Sequence, residues 1–155
     1  MPIYSFPQAD NLGFIYQIFC EFPEEGLNRY SFAEKYGLHD RQGAYYLNAL
    51  CFIGLAEKRG KNTFLNENGK FIQCFPESFR KKVFILSIFE NQLICDLYNR
   101  VMGMSKQEAK DNISIVIAGA YGINDKVTLE RRSRTLMSWY KWIKNQDFVL
   151  EERYE

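Results

Sequence analysis

Residues 128–144, TLERRSRTLMSWYKWIK, constrain this chain more than any other stretch, because at about 100° per residue they make a helix with two incompatible faces. Leu129, Leu136, Trp139, Tyr140 and Ile143 fall on one side and require a core. Arg131, Arg134, Thr135, Ser138 and Lys141 fall on the other and ask for polar, anionic company. Thr128 is placed to cap this helix, which puts Arg131, Arg132 and Arg134 in its first two turns. There the helix dipole disfavours each cation by roughly 0.3–1 kcal/mol, and Glu130 offsets only part of that. Arginine for guanine edges and phosphates, with hydroxyls for phosphates or bases, is the chemistry of a helix in the major groove of DNA. The competing reading is a surface helix whose cations are simply hydrated.

Composition narrows the class of protein. Of 155 residues, 46% are hydrophobic and 25% charged, which excludes a disordered chain and suits one ordinary domain or two small ones sharing a core. With 13 Phe and 10 Tyr, that core is expected to be built on rings. The net charge is +1, so any affinity for nucleic acid has to come from local clustering of cations. Cys20, Cys51, Cys74 and Cys95 are widely spaced in apolar runs, and the single His39 offers no zinc-ligand spacing. They read as free thiols of a reducing compartment, with no metal or other cofactor. No signal-peptide pattern opens the chain and its longest apolar run, 83–89, is far too short to span a bilayer. A cytoplasmic protein with no membrane partner is expected, and the Asn112-Ile113-Ser114 sequon is incidental on that reading.

Taken in order, the chain first offers Asp10 as the cap of a helix carrying Phe14, Ile15, Ile18, Phe19 and Phe22, ended by Pro23. Ser31-Phe32-Ala33-Glu34 reads as a capping box opening a short helix that Gly37 closes. A third helix starts at Asp40, with Gly43, Leu47, Leu50 and Gly54 inward and Arg41, Tyr45 and Asn48 outward, Gln42 lying at the edge. Two short strands around Gly60-Lys61-Asn62 follow as a hairpin with a basic tip, carrying Lys58, Arg59 and Lys61. Asn66 then caps another short helix. Past Pro76, residues 78–102 read as one long helix or two abutting ones, with 83–89 apolar all round and so buried. Ser105 and Glu108 form a second capping box, whose helix runs to Gly122 and leads by a loop into the 128–144 stretch. Phe148-Val149-Leu150 is a strand with no clear partner.

Helix, turn, polar-faced helix thus occurs twice, and the first occurrence is followed by a basic hairpin, which makes it resemble a winged helix. The expected architecture is mainly α with small β wings: two winged-helix or helix-turn-helix units, 1–75 and 76–155, packed as one body on a long central helical segment. From about residue 10 to 143 the chain resembles a family of paired winged-helix modules of bacterial restriction-modification proteins. The residues carrying this resemblance are Asp10-Asn11, Arg41-Gln42, Tyr45-Tyr46-Leu47-Asn48-Ala49 and Gly54-Leu55-Ala56-Glu57-Lys58. In the second unit they are Arg131-Arg132, Arg134-Thr135 and Ser138-Trp139 with Trp142-Ile143. The resemblance implies sequence-directed binding of duplex DNA by a non-catalytic recognition module, as a monomer or homodimer, with a nuclease domain or methyltransferase partner supplying the chemistry.

On this reading Arg41, Gln42, Tyr45 and Asn48 address DNA from the first recognition helix, and Arg131, Arg132, Arg134, Thr135, Ser138 and Lys141 from the second. Lys58, Arg59 and Lys61 hold phosphates from the wing. Two rivals follow from the same residues. Near-neutral charge with Tyr45, Phe52 and Trp142 on the surface would suit a protein-docking winged helix in a larger assembly. Asp96 with Glu108-Ala109-Lys110 has the spacing of a magnesium-dependent nuclease motif, though it falls on expected helices and requires the three to converge.

Overall fold

Helix starts in this protein are set by side chains that reach back to free backbone amides. The computed structural model describes residues 6–146, so Phe148-Val149-Leu150 lies outside the described residues. Among those described there are eight helices and one two-stranded antiparallel sheet. In order they are α1 (Leu12–Cys20), α2 (Arg29–Tyr36), α3 (Asp40–Ile53), β1 (Ala56–Arg59), β2 (Asn62–Leu65), α4 (Glu67–Gln73), α5 (Glu77–Phe89), α6 (Gln92–Val101), α7 (Lys106–Tyr121) and α8 (Lys126–Lys144). None of these helices is long and apolar enough to cross a membrane.

Asn66 and Ser105 cap α4 and α7 as expected, accepting from Gly69 N at 2.8 Å and Glu108 N at 3.2 Å. Four other caps differ from expectation. Asn11 rather than Asp10 caps α1, accepting from Phe14 N at 3.0 Å. Asn28 caps α2, and Ser31, expected as the cap, instead returns the favour by accepting from Asn28 N at 3.0 Å. His39 caps α3 with Gln42 reciprocating, and Asp125 caps α8 by accepting from Thr128 N at 2.8 Å. In each case neighbouring residues were also able to cap, and the one with the non-helical backbone took the position. For α8 the shift matters. Its start moves to Lys126, so Arg131, Arg132 and Arg134 sit in the second and third turns, where most of the dipole penalty has faded.

The long segment after Pro76 is two helices, broken at residues 90–91 between α5 and α6. Burial of α5 is one-sided rather than all round: Phe84, Ile85 and Ile88 are buried, while Leu86 is 41% exposed. Ser87 enters the interior by donating to its own helix, to Val83 O at 2.8 Å. Rings tie the layers together, with Tyr16 and Phe19 of α1 at 5.0 and 5.7 Å from Phe84, and Trp142 of α8 at 6.3 Å from it. Phe52 of α3 meets Trp139 of α8 at 6.5 Å. The buried residues form one cluster from Phe6 to Ile143, so both halves of the chain share a single core.

Close helix approach explains one glycine. A Cβ on Gly43 would stand 2.6 Å from Arg29 O, so α2 and α3 cross where only a bare backbone fits. After α3 the chain turns into the hairpin, which pairs Arg59 with Asn62 across Gly60-Lys61. Leu27 adds a bridge to Thr63, with N···O separations of 2.9 and 2.7 Å, and so holds the hairpin beside the start of α2.

Candidate nucleic-acid interface

The outer face of α3 carries Arg41 and Gln42, both exposed, then Tyr45 and Asn48, both half-buried. Gln42 is partly spent on structure, its Oε1 accepting from His39 N at 3.2 Å. Asn48 is the unusual member. Its Oδ1 is shielded from solvent and receives no hydrogen bond, a situation that costs roughly 1–3 kcal/mol for a polar atom.

Beside Asn48 the hairpin and the first turn of α2 enclose a cleft of about 400 Å³, bordered by Arg29, Tyr30, Lys58 and Lys61. Strand alternation sorts the hairpin cations. Lys58 and its cross-strand partner Thr63 face this cleft. Arg59 falls on the opposite face, 3.4 Å from Glu57 Oε1 and 4.5 Å above the Phe64 ring. Arg59 is therefore not joined to Lys58 and Lys61, contrary to the expected cluster of three.

α8 meets α3 where the Trp139 ring lies 6.5 Å from that of Phe52. Arg131 is exposed; Arg132 is half-buried, its pKa lowered first by that burial and next by Arg131, and it lies within electrostatic reach of Tyr45. Lys58 and Lys61 thus lie beside Asn48, and Arg132 lies near Tyr45.

Further along α8 the expectation needs correcting. Thr135 is buried, donating from Oγ1 to Asp10 Oδ1 and to Arg131 O, so it does not face outward. Ser138 Oγ donates to Asp10 O at 2.8 Å, and Trp139 Nε1 to Ala9 O at 2.8 Å. Arg134 Nε lies 3.7 Å from Asp10 Oδ2. Residues 9 and 10 are in effect strapped across this helix. A polar side chain on a helix wheel looks the same whether it meets water or a hydrogen-bonding segment of its own chain, which is why periodicity placed these residues outside. Lys141 stands apart, over a second cleft of about 410 Å³ with Asn11, Trp142 and Asn145.

Arg29 and Tyr30 were missed by the sequence reading; they carry no periodic signal and reach the cleft only because Leu27 ties the start of α2 to the hairpin. Of the aromatic residues assigned to the surface, Phe52 is packed against Phe6 and Trp139 and Trp142 against Tyr16 and Phe84, while Tyr45 is half-buried at the edge of the core. The nuclease-like residues are engaged separately. Asp96 accepts from Gln92 at 2.7 Å, Glu108 from Ser105 at 3.0 Å, and Lys110 binds Glu130 at 3.1 Å. Among the described residues no three His, Cys, Asp or Glu side chains gather as a metal site would require. His39 serves as a cap, with Nδ1 3.4 Å from Arg41 N.

The model of a family described as a domain of unknown function, DUF7226, matches residues 15–147, from the second turn of α1 to just past α8. No curated protein and no solved structure matches the chain.

Proposed function

The chain belongs to the DUF7226 family, and we propose that it is a non-enzymatic module that binds double-stranded DNA through the outer face of α3 and the front of α8. The two helix pairs, α2–α3 with its hairpin and α7–α8, are read as winged-helix and helix-turn-helix units, of the kind that the resemblance to restriction-modification modules implies. One observation carries the reading. Among the described residues Arg41, Lys58, Lys61, Arg131 and Arg132 have no carboxylate within ion-pair distance, while Arg59, Arg80, Lys110 and Arg134 each do. Other cations, among them Lys70, Arg100 and Lys106, also lack a carboxylate at that distance; these five are set apart by their place on α3, on the hairpin beside it or at the front of α8, where phosphates are suited to complete them. Thr135 and Ser138 drop out of the contact set, and Arg134 joins it only if Asp10 releases it.

Fluorescence anisotropy with a mixed-sequence duplex at a series of salt concentrations tests this. If all five cations meet phosphates, log K falls with log salt at a slope of about −4.5, from about −0.9 per contact. No binding at low salt would sink the proposal. The second reading, a protein-docking subunit, draws on a different face, where Phe71 and Phe79 are 65% and 60% exposed. On that reading the duplex titration is flat.

A further inference from the structure

We propose that the cleft between the first turn of α2, the outer face of α3 and the hairpin holds a single nucleotide unit, either an unpaired residue of a strand or a free nucleoside monophosphate. Its phosphate sits between Lys58 and Lys61, its base lies against the Tyr30 ring, and a base N–H is donated to Asn48 Oδ1. This goes beyond the duplex-binding proposal, with which it shares Lys58, Lys61 and Asn48.

Four features of the cleft converge on that ligand. Its volume of about 400 Å³ lies in the roughly 300–1,000 Å³ range of small-ligand sites, whereas a phosphate on the outside of a duplex needs no hollow. Lys58 and Lys61 have no carboxylate partner among the described residues, while Arg29, at the same rim, is partly answered by Asp40 at 3.9 Å. Tyr30 offers a ring that is 66% exposed, a stacking surface that any base accepts. Asn48 lines the cleft and its Oδ1 is an acceptor with nothing to accept. That oxygen is shielded from solvent, so a base that enters the cleft meets it once the Asn48 amide turns toward the ligand. The base N–H groups of the pairing edge are free for such a bond only when the base is unpaired.

The test uses the full chain, an end-labelled perfect duplex, the same duplex with one bulged nucleotide, and AMP or inorganic phosphate as competitor. The bulged duplex is expected to bind at least tenfold more tightly than the perfect one, with AMP competing where equal inorganic phosphate does not. Tyr30→Ala and Asn48→Ala should each bring the bulged-to-perfect ratio close to one and abolish competition by AMP. Competition by AMP without a bulge preference assigns the cleft to the free nucleotide. A bulge preference without such competition assigns it to a strand. Equal affinities together with no advantage of AMP over phosphate overturn the inference while leaving duplex binding standing. Failure of the perfect duplex alone to bind at low salt overturns the duplex reading instead.

Discussion

The two helix pairs start from the same local grammar and end with different surfaces. α2–α3 and α7–α8 each open on a side-chain cap and turn at a glycine in the left-handed region, Gly37 at φ +66° and Gly122 at φ +64°. In the first pair the outer face of the second helix stays open, and the chain that follows immediately brings Lys58 and Lys61 to its flank. In the second pair a distant segment covers part of that face. Asp10 and Ala9 receive Thr135, Ser138 and Trp139, in bonds that span 125 to 130 residues of sequence. Local pattern therefore sets the shape of a helix pair, and long-range cover sets which of its side chains remain available.

The largest way to break this contrast is Trp139→Ala. The side chain is fully buried and its indole N–H is held by Ala9 O, so the loss should be about 3–5 kcal/mol in urea denaturation, well beyond any truncation on the outer face of α3. A loss under about 1 kcal/mol would mean that the strap is not anchored there. Next comes Gly43→Ala, which forces a Cβ against Arg29 O and should destabilise by roughly 1–3 kcal/mol. In the second pair Gly119→Ala, on the exposed side of α7, meets nothing within 4 Å and should stabilise by roughly 0.5–1 kcal/mol, read as a rise in Tm. A fall in Tm for Gly119→Ala, or no fall for Gly43→Ala, would show that the space around these glycines does not decide their effect. The smallest effect is that of Asp10→Asn, which keeps an acceptor for Thr135 but removes the charge facing Arg134. Stability should change by less than about 1 kcal/mol, as for exposed ion pairs. Duplex affinity at low salt should rise, and an unchanged salt dependence would show Arg134 to be outside the contact set.

Much of the fold could be read from short stretches, because the deciding contacts lie within a turn or two. The hairpin, the caps Asn66 and Ser105, and the glycine stops after α2, α3 and α7 all follow from residues close in sequence. The caps that shifted did so where several capable residues stand together, as at Asp10-Asn11 and His39-Asp40, and only the backbone conformation chooses among them. For the candidate site, helical period put Arg41 on the exposed side of α3, whereas Tyr45 and Asn48, expected beside it, are half-buried; strand alternation held enough information to separate Arg59 from Lys58. Thr135, Ser138, Phe52 and Trp142 were not legible in this way, since the segment or helix that packs on each lies far away along the chain.

By itself the amino-acid order determined where most helices lie, which of their faces are apolar, and that cations gather at 58–61 and 131–134, because these depend on period and neighbours. Tertiary structure decided which of those cations keep a free charge and which polar atom lacks a partner. Charges and hydrogen bonds are settled by whatever group arrives within about 3–4 Å, and for Asp10 with Arg134, or Lys58 beside Asn48, that group comes from another part of the fold.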